Sequence, residues 1–186
     1  MSGRDSTALV LKELGETLPS IDEGQLDCLV DELMVPGRRV LVMGVGRMLI
    51  SLKAWVKRLK HLGIDINYVG DETEMPVRAN DLVLIGSSSG ESRLPAEIGR
   101  IACEKGADVF YVGCTVGSTI DSLASHRLIL RGRTKFAGPG EYASKQPMST
   151  LVEQELFLLG DIVALEVMGR MGWTEKDVKD RHANLE

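Results

Sequence analysis

Residues 38–47 read RRVLVMGVGR and predict the first strand of a sheet, over Arg38–Gly46. A short apolar run that ends in glycine is typical of a strand buried on both faces of a parallel sheet. Similar runs predict further strands, and apolar residues at helical spacing predict helices between them. The strands are Ile64–Gly70, Asp81–Gly90, Asp108–Gly113 and His126–Gly132, and the helices are Met48–Leu62, Pro95–Lys105 and Ile120–Ala124. This alternation predicts an α/β fold, a doubly wound five-stranded parallel sheet flanked by helices.

Helical patterns also flank this core in the sequence. Apolar residues recur at helical spacing over Ala8–Leu18, at Val10, Leu11, Leu14 and Leu18, and a second helix is predicted over Ile21–Met34. Thr150–Met171 predicts one long apolar helix, followed by a charged tail. We therefore expect one domain over residues 1–186, with N-terminal helices over 1–37, an α/β core over 38–172 and a tail over 173–186.

The composition argues against several classes of protein. The chain carries 27 acidic and 22 basic residues, a formal charge of −5, and no basic stripe with interleaved aromatic residues, which disfavours nucleic acid as a partner. Its three cysteines have no metal-binding spacing and indicate reduced thiols inside a cell. No apolar run suggests a membrane span, and the N-terminus lacks the pattern of a signal peptide. The sequence thus predicts a cytoplasmic protein without a nucleic-acid or membrane partner.

Gly44-Val45-Gly46-Arg47 closes the first strand. In an open parallel sheet, ligands bind outside the carboxyl ends of the strands, so Gly46 and Arg47 are candidate binding residues. Leu49 stands where a dinucleotide fingerprint has its third glycine, which disfavours a NAD site. An arginine at this position can donate to a phosphate or to sugar hydroxyls, but a surface ion pair is an equally good interpretation.

Ser87-Ser88-Ser89-Gly90-Glu91-Ser92 closes the third strand and leads into a helix. Hydroxyl groups, free backbone N–H groups and the positive end of a helix dipole together suit a phosphate monoester. One serine would suffice as an ordinary helix cap. Because four serines occur within six residues, we favour a phosphate site formed by Ser87, Ser88, Ser89 and Ser92.

These two strand ends together resemble the sugar isomerase (SIS) domain family, whose members bind phosphosugars. The stretch QPMSTLVEQ at 146–154 is similar to the family segment that opens the last helix, and RHANLE at 181–186 is similar to the C-terminal signature of 6-phospho-3-hexuloisomerases. YVGDET at 68–73, followed by Pro76, fits the same group. The resemblance runs from about Leu9 to the last residue.

The resemblance implies a reaction that moves a carbonyl from C3 to C2 of a hexulose 6-phosphate, giving fructose 6-phosphate through a cis-enediol. It implies that Glu153 is the base for the carbon-bound proton and that His182 moves protons between the two oxygens, a task suited to the pKa of an imidazole. Glu72, Thr73, Gln146 and Ser149 are implied to line the pocket. Neither a metal nor another cofactor is required.

The resemblance also implies that the tail reaches a neighbouring active site. A short terminal segment cannot act in catalysis unless something holds it in place. We therefore expect a homo-oligomer, a tetramer by resemblance, with sites at subunit contacts.

Two residues depart from the family pattern. Met48 stands where a serine is usual, and Ser88 adds a Cβ where the phosphate loop usually has glycine. Three alternatives therefore stay open: an aldose–ketose isomerase, an isomerase of a longer sugar phosphate, and a phosphosugar-sensing module without catalysis.

Overall fold

The computed structural model describes residues 2–182 and 184. Three residues of the C-terminal signature, Ala183, Leu185 and Glu186, lie outside the described residues. Five strands form one sheet in which every pair is parallel, in the order β2-β1-β3-β4-β5. The strands are β1 (Val40–Met43), β2 (Ile66–Tyr68), β3 (Leu82–Gly86), β4 (Asp108–Gly113) and β5 (His126–Ile129). The predicted doubly wound sheet is confirmed, with strands shorter than the apolar runs suggested.

Seven α-helices are described. They are α1 (Gly3–Thr17), α2 (Glu23–Leu33), α3 (Gly46–His61), α4 (Arg93–Glu104), α5 (Thr119–Leu123), α6 (Thr150–Met171) and α7 (Glu175–Lys179). A short 3₁₀ turn over Leu18–Ser20 joins α1 to α2. Helix α7 lies in the segment that the sequence indicated only as a charged tail. None of the helices in the described chain has the length and apolar character to cross a membrane.

The strands divide the apolar core into two layers because alternate side chains point to opposite faces of the sheet. Val40 and Val42 of β1 face the layer that contains α2, α3 and α6. Leu41 and Met43 face the layer that contains α4 and α5. Both faces are therefore covered, as a buried parallel sheet requires.

The strand order places a crevice at the carboxyl ends of β1 and β3. The chain leaves β1 towards one edge of the sheet and leaves β3 towards the other, so the connections diverge there. Ligands of doubly wound proteins bind at such a switch in strand order. The two glycine- and serine-rich turns predicted to bind substrate both lie at this point, one after β1 and one after β3.

Close packing of α3 against α6 sets the geometry of this crevice. The indole N–H of Trp55 donates to the carbonyl of Leu156 at 2.7 Å, and a Cβ on Gly160 would overlap the indole ring. The absence of a side chain at Gly160 thus lets the two helices approach. Helix α3 begins at the carboxyl edge of the sheet, and the first turn of α6 is brought beside it.

Candidate active site

Glu153 lies in the first turn of α6, with its side chain only 11% exposed. One carboxylate oxygen accepts a hydrogen bond from Nε of Arg47, and the other accepts one from the hydroxyl of Ser149 at 3.0 Å. The hydroxyl of Ser51 donates to the backbone carbonyl of Glu153 at 2.8 Å. Side chain and backbone are thus both fixed, which is the pre-organisation that a general base needs.

Arg47 reaches Glu153 from the first turn of α3. Gly46 before it has φ +57°, a left-handed conformation that glycine adopts without strain, and this conformation allows the tight entry into the helix. The side chain of Arg47 is 63% exposed, so its guanidinium retains donors towards solvent as well as the contact with Glu153. Both interpretations of Arg47 from the sequence, ion pair and ligand donor, are therefore compatible with its position.

The serine loop at 87–92 turns sharply between β3 and α4. Ser87 is buried, its hydroxyl lies 3.1 Å from that of Ser92, and the N–H of Gly90 donates to Ser87 Oγ at 3.2 Å. Gly90 has φ +65°, and a Cβ there would overlap the hydroxyl of Ser118. Ser87 and Ser92 therefore shape the turn, and the hydroxyls of the half-buried Ser88 and Ser89 are better placed to face a ligand.

Ser88 and Ser89 are joined to their surroundings in different ways. The carbonyl of Ser88 accepts from the N–H of Cys114 at 3.0 Å, which ties the serine loop to the end of β4. Ser89 Oγ accepts from the N–H of Glu91 at 3.3 Å. The first N–H groups of α4 have no partners within the helix, and its dipole favours an anion at this end.

Glu91 places a carboxylate beside the proposed anion site, but α5 holds it away. It accepts from the hydroxyl and the N–H of Thr119, at 2.7 Å and 2.8 Å. These two hydrogen bonds lower the pKa of Glu91 below its ordinary value, and the bond from the Thr119 hydroxyl has the larger effect. The negative charge thus balances the N-terminus of α5.

Gln146 does not extend towards Glu153. Its side-chain amide donates to Glu13 at 3.0 Å, and both residues are buried. Glu13 also accepts from the hydroxyl of Ser144 and the N–H of Lys145, each at 2.7 Å. Burial opposes the ionisation of Glu13, but these donors outweigh it and lower the pKa of the carboxyl. Gln146 thus anchors the segment before α6 to α1.

Thr73 and Glu72 lie in the exposed crossover between β2 and β3. The hydroxyl of Thr73 donates to Asp71 at 2.6 Å, and Thr73 lines a cavity of about 450 Å³ together with Arg39 and Asp81, which stand at the amino ends of their strands. Within the part of the chain that the structure describes, no contact joins Thr73 or Glu72 to Glu153.

His182 lies at the far end of α3 from Arg47. Its ring centroid is 4.8 Å from that of His61, the last residue of the helix. Because α3 rises about 1.5 Å per residue, Arg47 and His61 are roughly 20 Å apart. His182 therefore does not join Glu153 within one chain.

Met48 is 6% exposed and packs in the core layer with α3 and α6. A change of side chain at this position would therefore alter the packing of this layer. Three residues that position the site were not predicted from the sequence, namely Ser51, Trp55 and Glu13. Of these, only Glu13 could have been noticed in the sequence, because it is a carboxylate among the apolar residues of the predicted α1.

Comparisons with known proteins bear on the family and the fold of this chain. No protein-family model matches the chain. The 3-hexulose-6-phosphate isomerase of Bacillus subtilis is 31% identical over 188 residues, covering 100% of both chains. Among solved structures, a Methanococcus jannaschii protein with an inferred function of 3-hexulose-6-phosphate isomerase superposes with a TM-score of 0.81 at 24% identity, covering 98% of this chain and 99% of that one.

An Escherichia coli protein in complex with a sugar phosphate superposes with a TM-score of 0.76 at 18% identity, covering 98% of this chain and 100% of that one. At such low identity, the two structures bear on the fold alone. The full-length relationship to the Bacillus enzyme bears on the family as well. This chain therefore belongs to the sugar isomerase (SIS) family, and it is an isomerase.

Proposed function

We propose that the protein interconverts D-arabino-hex-3-ulose 6-phosphate and D-fructose 6-phosphate. The observation that carries this proposal is the carboxylate of Glu153, held by Arg47 and Ser149 in the crevice between the ends of β1 and β3. The serine loop follows the second of these strands. A base beside a phosphate site is the arrangement that a phosphosugar isomerase requires. The name of the Bacillus relative supports this substrate.

In the proposed mechanism, the phosphate binds at the serine loop and the N-terminus of α4. Glu153 removes the proton from C2 of the 3-ketose, and the C3 carbonyl oxygen takes up negative charge as the C2=C3 bond of the enediol forms. The proton is then delivered to C3 while the proton of the O2 hydroxyl passes to O3. The result is a carbonyl at C2, with no net gain or loss of atoms or electrons. Arg47 orients Glu153 and offers donors to the charge that develops on oxygen.

His182 is proposed as the group that moves the proton between O2 and O3. Because it lies roughly 20 Å from Arg47 along α3 of its own chain, it has to come from a second copy. Exposed apolar side chains on several elements supply surface for such contacts, namely Leu11, Ile50, Met148, Phe157 and Leu165. We therefore propose a homo-oligomer with shared active sites, a tetramer by resemblance to the family.

Proton exchange in D2O tests the substrate. Fructose 6-phosphate incubated with the protein should exchange its C3 hydrogen for deuterium and give a new 3-keto species in the NMR spectrum. Exchange at C1 would instead indicate aldose–ketose chemistry on the same fold. Binding without exchange at either carbon would contradict the proposal and favour a sensing module.

A further inference from the structure

Glu155 is a buried carboxyl group that the proposed mechanism does not use. It lies on α6, two residues after Glu153, and is 0% exposed. Among the described residues, neither carboxyl oxygen has a hydrogen-bond partner. An ionised carboxylate in such surroundings is costly, and the usual response is to remain neutral.

The carboxyl group is packed beneath the ends of β4 and β5. The position that a Cβ would take on Gly132 lies 3.1 Å from Glu155 Oε2 and 3.3 Å from Cys114 Sγ. Cγ2 of Val152 is nearer still, so glycine at 132 leaves room for Val152 first, and Glu155 and Cys114 pack around the same point. Thr17 is also adjacent, but its hydroxyl donates its proton to the carbonyl of Glu13 at 3.0 Å.

The two segments above Glu155 hold the proposed substrate site together. The N–H of Cys114 donates to the carbonyl of Ser88 at 3.0 Å, and the carbonyl of Gly132 accepts from the N–H of Tyr142 at 3.2 Å. The first bond fixes the serine loop. The second fixes the segment that leads to Ser149 and α6. A disturbance at Glu155 thus reaches both sides of the crevice.

We propose that Glu155, in its neutral form, is a positioning residue for the phosphate-binding serine loop, and that its ionisation loosens the loop and weakens binding of the phosphosugar. The proposal rests on the proposed function for the identity of the ligand. Glu155 does not contact the substrate in this proposal. It acts on Cys114, which it packs beside, and Cys114 in turn holds Ser88 of the serine loop.

The charges around Glu155 do not stabilise its ionised form. The guanidinium of Arg131 stacks on Tyr142, and that of Arg133 donates to the carbonyl of Ser144 at 2.8 Å. Burial raises the pKa of Glu155 to about 7, despite the adjacent hydroxyl of Thr17. The carboxyl therefore changes charge in the neutral range. The nearest titratable groups on the neighbouring segments are Glu13 of α1, Cys114 after β4, and Arg131, Arg133 and Glu141 between β5 and α6.

The test is the pH dependence of KM for fructose 6-phosphate, compared between the wild type and Glu155→Gln. The glutamine keeps the size of the side chain and cannot ionise, so titration of the substrate phosphate and of other protein groups affects both proteins alike. Above pH 7 the ratio of loosened to seated loop rises by at most about tenfold per pH unit. We expect the wild-type KM to rise at least about threefold more than that of the variant between pH 6.5 and 8.5, with kcat changing in parallel in both.

Glu155→Met is the second variant, in case the glutamine is not accommodated, and its KM should show the same weaker pH dependence as that of Glu155→Gln. Parallel KM profiles in the wild type and in a folded variant would overturn the proposal. Inorganic phosphate separates this outcome from failure of the proposed function. If no hexulose phosphate is converted, the Kd of inorganic phosphate should still rise more with pH in the wild type than in the variants, and an equal pH dependence in all of them would overturn the role of Glu155.

Discussion

At the scale of single residues, the contact between Arg47 and Glu153 distinguishes the proposed base from a glutamate that only caps its helix. A glutamate in the first turn of a helix ordinarily complements the dipole. Here Ser149 and Arg47 hold both oxygens, and Ser51 fixes the backbone of the same residue. Capping alone does not explain donors arriving from α3.

Arg47→Gln should lower kcat/KM by about 10- to 100-fold, because a base displaced by about 1 Å loses much of its effectiveness. Steady-state kinetics on fructose 6-phosphate measure the effect. Arg100→Gln is the matched control, since Arg100 forms an exposed ion pair with Glu97 on α4. Exposed pairs contribute little, so the control should stay within about twofold of the wild type. Equal rates for both variants would contradict the role of Arg47.

The residues at the two strand ends were predictable from the sequence because glycine and serine at these positions have local causes. The hydrogen-bond partner of each residue was not predictable in this way. Ser87 and Ser92 bond to each other inside the turn, and the amide of Gln146 is committed to Glu13. Such pairings depend on distances between elements, which spacing along the chain does not encode.

At the scale of elements, the packing of α3 on α6 places Arg47 beside Glu153. Gly160→Ala should lower the free energy of unfolding by about 1–3 kcal/mol, because the added Cβ overlaps the ring of Trp55. Gly169→Ala, in the same helix with open space around it, should be neutral or stabilising by up to about 1 kcal/mol. Urea unfolding curves measure both. Equal stability of the two variants would contradict the close packing.

Glu155→Gln should also change how stability depends on pH. The pKa of Glu155 in the folded chain, about 7, lies above its ordinary value of 4.5, so its contribution is fully present below pH 4.5 and is lost as the pH rises to about 7. The glutamine variant lacks this loss. Its stability relative to the wild type should increase by about 1–3 kcal/mol between pH 4.5 and 8. A constant difference in urea unfolding across this range would contradict a neutral buried carboxyl.

In α1, the spacing of apolar residues predicts that a helix forms but not which of its residues are buried. The spacing of Val10, Leu11, Leu14 and Leu18 predicts the helix, but the buried residues of α1 are Glu13 and Thr17, and Leu11 is 66% exposed. Glu13 is buried because the segment before α6 supplies three donors from its backbone and side chains. Those donors are more than 130 residues away in sequence, so no local pattern indicates them.

At the scale of the whole molecule, the sheet and its connections followed from the sequence because buried parallel strands have a clear signature. The strand order then brought the ends of β1 and β3 together. The position of His182 was not predictable in this way, since it depends on how α6 returns to the end of α3 and how α7 folds after it. The proposed assembly makes His182 of one copy serve another.

Mixing two inactive variants tests that assembly. Glu153→Gln lacks the proposed base, and His182→Asn lacks the proposed proton shuttle. Because their subunits can combine into sites that contain both native residues, activity should return after the two proteins are dissociated and reassembled together. The same treatment of each variant alone is the control. A mixed oligomer that stays inactive would contradict the shared site.

The most direct test of the central claim is the rate of C3 hydrogen exchange of fructose 6-phosphate in D2O, measured by NMR for the wild type and for Glu153→Gln. The wild type should exchange this hydrogen, and the variant should lose exchange by at least about 100-fold while still binding the phosphosugar. Exchange in Glu153→Gln at the wild-type rate would contradict the assignment of Glu153 as the base.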